Sequence, residues 1–239
     1  MNIFKYKYGI INFPDKISKN DFFSDSPKKN VEKGTYQEYV NDYAKKYTRK
    51  NSTILDIGSN LGIFTISFSK LFESCKILSF EPIKYTFSFL KNNIKVNNCN
   101  NVTLYNIALS NLNEIKQIKW SKDNLGGSTF GDLNLRKMKT HYKNKDVLLQ
   151  EVKVIDLDSL NLDNISFIKV DVQDHEYNVI LGAINTLKNN DLVIVLELAT
   201  RNESEKKNYK KCVKLMKKIG YNYMEKCSSK DYAFRKKPF

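Results

Sequence analysis

The sequence predicts a doubly wound α/β fold with a mostly parallel sheet, and three observations carry that prediction. Short apolar runs alternate with helix-compatible segments along most of the chain. The run Leu192–Leu196 is apolar throughout, as a strand buried on both faces must be. Asp56, Glu81, Asn106, Asp171 and Glu197 all fall at the carboxyl ends of predicted strands, where open α/β sheets bind ligands.

Residues 1–34 hold Pro14, Pro27 and Gly34 and read as an irregular, extended arm. A helix over 36–49 places Tyr36, Tyr39, Val40, Tyr43 and Tyr47 on one face. Arm and helix form an N-terminal unit, residues 1–50, ahead of one α/β domain over 51–239. The first strand spans 53–57, and the next helix buries Phe64, Phe68 and Leu71-Phe72. A second strand, 76–81, leads into a helix that runs to about Val96. Pro82 stands in its first turn, where a missing N–H costs least. Phe87, Leu90 and Ile94 form its inward stripe. An Asn-rich turn, 97–101, precedes a strand over 102–108.

Residues 113–150 interrupt the alternation as an insertion. They hold Trp120, a flexible Leu125-Gly126-Gly127-Ser128-Thr129 element and basic stretches around 136–145. An extra strand follows over 151–155. Then come a strand at 167–172, a helix at 176–187 and a strand at 192–197. The last helix, 204–219, turns Tyr209, Cys212, Val213, Met216 and Ile219 inward. Segments 221–225 and 231–235 close the fold as a hairpin.

At 239 residues and 41% hydrophobic content the chain can bury a sizeable core. No apolar run reaches the ~20 residues of a membrane span, and Met1–Lys7 has no signal-peptide apolar region. Cys75, Cys99, Cys212 and Cys227 lack C-x-x-C spacing, which points to reduced thiols rather than a zinc site. A cytoplasmic location is expected. The net charge of +14 is compatible with an anionic acceptor or RNA. Much of it sits in pairs such as Lys206-Lys207, Lys210-Lys211 and Lys217-Lys218, which read as a solvated helix face. No motif reports the oligomeric state.

The segment Ile54–Thr65 reads as strand, glycine turn and helix start. Its Asp56, Gly58, Asn60 and Gly62 space the glycines G-x-x-x-G instead of G-x-G-x-x-G. An acid ahead of the first glycine would repel a pyrophosphate and suit an amino group or a sulfonium. Glu81, at the end of the next strand, can accept hydrogen bonds from both ribose hydroxyls. Together they favour S-adenosyl-L-methionine over a dinucleotide.

A second dense segment is Ile168–Glu176. Asp171 ends a buried strand beside the cleft and has few structural duties there. Asp174 and Glu176 suit either a helix N-terminus or the site. His175 suits either a base or a structural role.

The stretches ILDIGSNLGIFT, ILSFEP, LYNIALSN, NLGGSTF and FIKVDVQDHEYNVILGA resemble the FkbM family of S-adenosylmethionine-dependent methyltransferases, over roughly residues 50–200. The resemblance implies the class I, Rossmann-like methyltransferase fold with a seven-stranded, mostly parallel sheet. It also implies methyl transfer to a hydroxyl oxygen, commonly on a sugar, glycan or small metabolite. By position, Asp56, Gly58, Asn60 and Gly62 would hold the methionine end of the cofactor and Glu81 the ribose. Asn106 with Ala108 would flank the adenine, and Ser59, Pro82 and Asp171 belong to the same cofactor-binding set. Asp171, His175 and Glu176 would lie near the transferred methyl, and Gly126-Gly127-Ser128 would shape the acceptor pocket. The chain departs from the family pattern at Gln173-Asp174, where Glu-Gly is usual.

Asp171 or Glu176 is the candidate general base. Alternatively Asp171, Asp174 and Glu197 would hold a magnesium ion, although their spacing is not a diagnostic metal motif. Two other functions stay open. One is RNA methylation, for which Lys169, Asp171 and Glu197 give part of a Lys-Asp-Lys-Glu set. The other is a cofactor-fold binding protein without catalysis.

Overall fold

The computed structural model describes residues 2–14, 36–122, 124–130 and 147–239. Pro27, Gly34 and the basic stretches around 136–145 lie outside the described residues. The order begins with β1 (Asn2–Tyr6), β2 (Gly9–Phe13) and α1 (Glu38–Tyr47). Next come β3 (Thr53–Ile57), α2 (Ile63–Leu71), β4 (Lys76–Phe80), α3 (Lys84–Val96) and β5 (Val102–Tyr105). Then follow β6 (Ala108–Ser110), β7 (Glu114–Ser121), β8 (Asn124–Thr129) and β9 (Leu148–Asp156). The chain continues with β10 (Ile165–Val170), α4 (Glu176–Leu181), α5 (Ile184–Asn189) and β11 (Val193–Glu197). It ends with α6 (Glu203–Lys218), β12 (Tyr223–Lys226) and β13 (Asp231–Arg235).

The central sheet has seven strands in the order β12-β13-β11-β10-β3-β4-β5. Five members, β11, β10, β3, β4 and β5, are parallel; β13 runs antiparallel to β11, and β12 pairs antiparallel with β13 and so runs in the direction of the five. Consecutive strand residues are buried on opposite faces. Ile54, Ile77, Phe167, Val193 and Val195 pack towards α1 and α2. Leu55, Leu78, Ile168, Ile194 and Leu196 pack with Val179, Cys212 and Met216 of α4 and α6. Covering both faces with helices explains why these strands are apolar at every position.

Strand order reverses between β3 and β10. β3 leads through α2 to β4 on one side, whereas β10 leads through α4 and α5 to β11 on the other. A crevice opens at that point above the strand ends.

The predicted strand over 102–108 divides between two sheets. β5 ends at Tyr105, and β6 joins a separate four-stranded sheet ordered β6-β9-β7-β8. Asn106 makes the break, because its Nδ2 donates to the carbonyls of Glu81 at 2.9 Å and Pro82 at 3.1 Å. The expected extra strand is β9 of this second sheet. The Gly-rich element expected to be flexible is strand β8. Likewise, the helix expected over 176–187 is two helices. At Gly182 between them a Cβ would lie 1.8 Å from the Ser110 carbonyl oxygen, so α4 can meet β6 only through a glycine.

Residues 2–13, read as part of an irregular arm, form the β1–β2 hairpin. Its Phe4, Ile11 and Phe13 pack with Leu61, Ile66, Leu90 and Ile94, and its hydrogen-bond partners are polar and distant in sequence. Asn93 Oδ1 accepts from Asn12 N at 2.7 Å, and Asn97 Oδ1 accepts from Ile10 N at 2.7 Å. Asn93 Nδ2 also donates to Leu61 O at 2.9 Å, so the hairpin and α3 together brace the glycine turn.

Candidate active site

The turn after β3 is built by its backbone. Gly58 has φ +80°, and a Cβ there would sit 1.9 Å from the Asp171 carbonyl oxygen. Glycine therefore lets the β3 turn close against the end of β10. Gly58 N and Ser59 N donate to Phe80 O, each at 3.0 Å. Ser59 Oγ donates to Asp56 O at 2.7 Å and accepts from Phe80 N at 3.1 Å. The turn is thus tied to the end of β4.

Beside this turn opens a cavity of about 280 Å³ at the strand-order reversal. Gly58, Ser59, Asn60, Glu81, Pro82 and Ala108 form one wall. Asp171, His175, Glu197 and Lys230 form the opposite side, with Lys169 beneath them. Gly126, Gly127 and Ser128 of β8 and the apolar Leu109 and Ile118 complete the enclosure.

Glu81 is buried at 6% exposure. Its two oxygens accept from Asn60 N at 3.0 Å and Ile83 N at 2.9 Å. Burial raises its pKa to about 7, against the pull of those two N–H groups. Each carboxylate oxygen retains a second lone pair for a ligand hydroxyl. Asn60 Oδ1 is buried on the same wall without a hydrogen-bond partner. An acceptor left in that state is costly until a donor reaches it. This pairing of a buried acid with an orphaned acceptor beside an apolar wall fits a cationic nucleoside, with Asn60 open to an ammonium and Glu81 to hydroxyls.

Asp56, Gly62, Asn106 and Glu176 do not line the cavity. Asp56 is fully buried behind the turn. Thr65 Oγ1 donates to its Oδ2 at 2.6 Å, and Lys169 Nζ stands 3.6 Å from its Oδ1. The negative charge of Asp56 thus meets a lysine of the protein before any ligand. Gly62 caps α2, and Asn106 holds the Glu81–Pro82 backbone. Glu176 is buried at the start of α4. Its Oε1 accepts from Val172 N at 3.2 Å and its Oε2 from Asn208 of α6 at 2.8 Å.

His175 does face the cavity. Ser110 Oγ lies 2.9 Å from Nε2, Asn178 Nδ2 lies 3.2 Å from Nδ1, and the Phe130 ring is 4.9 Å away. Burial, aided by Lys116, lowers its pKa to about 4. The imidazole is therefore uncharged at neutral pH.

Asp171 stands at the end of β10 with Lys169 two residues before it, on the same face of the strand. Lys169 Nζ lies 3.8 Å from Asp171 Oδ2 and 4.9 Å from the centroid of the Phe64 ring. Burial disfavours charge on that lysine, but Asp56, Asp171 and Glu197 outweigh it and raise its pKa, so it stays protonated. Burial also works against the Asp171 carboxylate, yet Lys169 and then Lys230 hold its pKa below the usual aspartate value. Gln173 Nε2 donates to Asp171 Oδ1 at 2.8 Å. Gln173 and Asp174, the pair standing where Glu-Gly is usual, have φ +55° and +71°. Both occupy the left-handed region that favours glycine.

Lys230 and Arg201 are cavity residues that sequence reasoning missed. Lys230 sits between β12 and β13, and its Nζ donates to Glu197 Oε2 at 2.6 Å. Only the antiparallel return of β13 brings it to Glu197, and no local motif announces that. The lining holds three acids, Glu81, Asp171 and Glu197, and three bases, Lys169, Arg201 and Lys230. Among the described residues no group of three or more His, Cys, Asp or Glu side chains is placed to hold a metal ion.

Known proteins place the chain. The methyltransferase FkbM domain model matches residues 56–223. Methyltransferase 1 of Beauveria bassiana (strain ARSEF 2860) is 27% identical over 145 residues, which cover 55% of this chain and 58% of that protein. The chain thus spans little more than half the length of the curated relative it matches. Methyltransferase FkbM from Methylobacillus flagellatus KT superposes with a TM-score of 0.52 at 11% identity, over 81% of this chain and 50% of that one. The SAH-bound Podospora anserina methyltransferase PaMTH1 gives 0.52 at 11% identity, over 87% and 79%. At such identities these structures attest the fold, a class I methyltransferase α/β sheet. With the family model covering most of the sequence, the chain belongs to the methyltransferase FkbM family.

Proposed function

We propose that the protein transfers a methyl group from S-adenosylmethionine to a hydroxyl oxygen of a sugar, glycan or small metabolite. The observation that carries this reading is one cavity shared by the Gly58–Asn60 turn, the buried Glu81 and the strand-end Asp171. When bound, S-adenosylmethionine supplies an electrophilic methyl group. The turn and Asn60 would hold its amino-acid end, Glu81 its ribose hydroxyls, and Ala108 with Leu109 and Ile118 the face of its base. Gly62 and Asn106 would act one step removed, by setting the turn and the Glu81–Pro82 backbone. Asp56 would do the same through Lys169.

On the other side, Asp171 would orient the acceptor. An ionised carboxylate accepts a hydrogen bond from the acceptor hydroxyl and turns the oxygen lone pair towards the methyl. Most of the acceleration would come from that alignment. His175 would add an uncharged wall to the acceptor space, and Glu176 would hold the start of α4. Gly126–Ser128 would bound the acceptor pocket. A cytoplasmic location is part of the same proposal, in keeping with four unpaired cysteines.

Calorimetry with S-adenosylhomocysteine tests the cofactor half. A panel of monosaccharides and sugar phosphates, read by mass for a gain of one methyl, tests the acceptor half. Binding without any methylated hydroxyl would remove the O-methylation reading and leave the family standing. No specific observation favours RNA methylation over this reading. The α6 lysine pairs lie on a face away from its buried Cys212, Leu215 and Met216.

No helix among the described residues is long and apolar enough to cross a membrane.

A further inference from the structure

We propose that Glu197, tethered by Lys230 and paired across the sheet with Asp171, is the general base that takes the acceptor's proton, while Asp171 stays ionised and orients. This rests on the O-methyl-transfer reading above.

Sheet register carries the argument. In the parallel β10–β11 pair Lys169 lies opposite Val195 and Val170 opposite Leu196, which makes Asp171 and Glu197 the next pair. Residues paired in this way share a face, about 4.8 Å apart across the strands. Both line the cavity. Two neighbouring carboxylates cannot both ionise freely, and their surroundings decide which one keeps the proton.

Those surroundings differ. Asp171 has Lys169 at 3.8 Å and an amide donor, Gln173 Nε2, at 2.8 Å. Glu197 has Lys230 at 2.6 Å and is 9% exposed. Facing Glu197 are Lys169 of β10 and Asp171 just after it, Lys230 and Asp231 from the β12–β13 hairpin, Tyr36 ahead of α1 and Tyr39 in its first turn. Burial first, and the Asp171 charge second, raise the Glu197 pKa to about 8. A base works best when its pKa is near the working pH, and Asp171 is held on the wrong side of its ordinary value for that duty. As for the hairpin, Asp231 Oδ2 accepts from Tyr39 OH and from Ser228 Oγ, each at 2.5 Å. Leu198 N donates to Lys230 O at 2.6 Å. Lys230 is thereby presented to Glu197 from a fixed backbone.

The step balances as follows. The acceptor oxygen forms its bond to the methyl carbon as the carbon–sulfur bond breaks, and that bonding pair remains on sulfur as a thioether. The acceptor O–H bond breaks, and its proton passes to a Glu197 carboxylate oxygen. Lys230 is a positioning residue, which holds Glu197 in place and keeps part of its population ionised at neutral pH.

The test reads the pair directly, by NMR titration of the full chain labelled with carbon-13 at glutamate carboxyls, alone and with S-adenosylhomocysteine. One resonance, absent in Glu197→Gln, is expected to titrate near 8. It should move to lower pH in Asp171→Asn, which removes the neighbouring negative charge. In Lys230→Gln it should move to higher pH, since the stabilising cation is gone. A Glu197 resonance in the ordinary glutamate range, or one that Asp171→Asn leaves in place, overturns the proposal. The Lys230→Gln shift still decides the matter if Glu197→Gln fails to fold.

With the panel sugar that the wild type methylates fastest, Glu197→Gln should lower kcat about 10²–10⁴-fold and abolish the acidic limb of the pH profile. S-adenosylhomocysteine affinity should stay within a few fold. Unchanged turnover in Glu197→Gln also overturns it. Failure of the wild type to bind S-adenosylhomocysteine instead removes the methyl-transfer reading, and the titration still reports on the pair.

Discussion

The two walls of the cavity are made differently. On the β3–β4 side a backbone turn and a buried acid do the work, and both oxygens of that acid already accept main-chain N–H groups. Across the cavity, on the β10–β11–β13 side, four charged side chains from two strands and a hairpin stand in contact with one another. The strained pair Gln173–Asp174 follows directly after that second wall. Main-chain geometry suits a ligand that never changes. Side-chain charge suits an acceptor and a proton that must move, because its balance shifts with a single protonation.

Breaking the acceptor side should have the largest effect. Asp171→Asn is expected to lower turnover about 10²–10³-fold. S-adenosylhomocysteine affinity, read by calorimetry, should stay within a few fold. An equal loss of affinity would erase the distinction between the walls. Gly58 is where the two walls touch, so Gly58→Ala should damage both. A Cβ there would lie 1.9 Å from the Asp171 carbonyl oxygen at φ +80°, and urea unfolding should show a loss of about 2–4 kcal/mol.

Glu81 sharpens the comparison from the other side. Glu81→Gln should weaken S-adenosylhomocysteine binding about 10-fold, with turnover at saturating cofactor little changed. Its pKa is raised to about 7, so wild-type affinity should fall as the pH drops through that value. The carboxylate that accepts the ribose hydroxyls is then protonated, and Glu81→Gln should bind with no such pH dependence. The smallest effect belongs to the strained pair. Asp174→Gly relieves φ +71° and should raise stability by about 0.5–1 kcal/mol in the same urea measurement.

Local pattern was enough for the inner strands. β3, β4, β10 and β11 lie within two residues of where apolar runs placed them, since burial on both faces leaves no polar interruption. The glycine turn and Glu81 were legible for a similar reason, as each depends on its immediate neighbours in the chain. The β1–β2 hairpin was not legible. It is held by Asn93 and Asn97, more than eighty residues away, and polar side chains do not announce distant partners. The segment over 102–108 looked continuous because Asn106, which breaks it, acts through Glu81 and Pro82.

Residues in contact along the chain carry their own instructions, and from them came the α/β class and the strand-end polar row, whereas the acid read as facing a sulfonium, Asp56, meets Lys169 instead. Packing alone assigned each acid its surroundings. Asp56 and Glu176 turned away from the cavity to meet Lys169 and Asn208, and Glu197 came beside Asp171 under Lys230. A carboxylate's charge depends on which groups lie within a few ångströms of it, and in a crossed-over sheet those groups come from strands far apart in sequence.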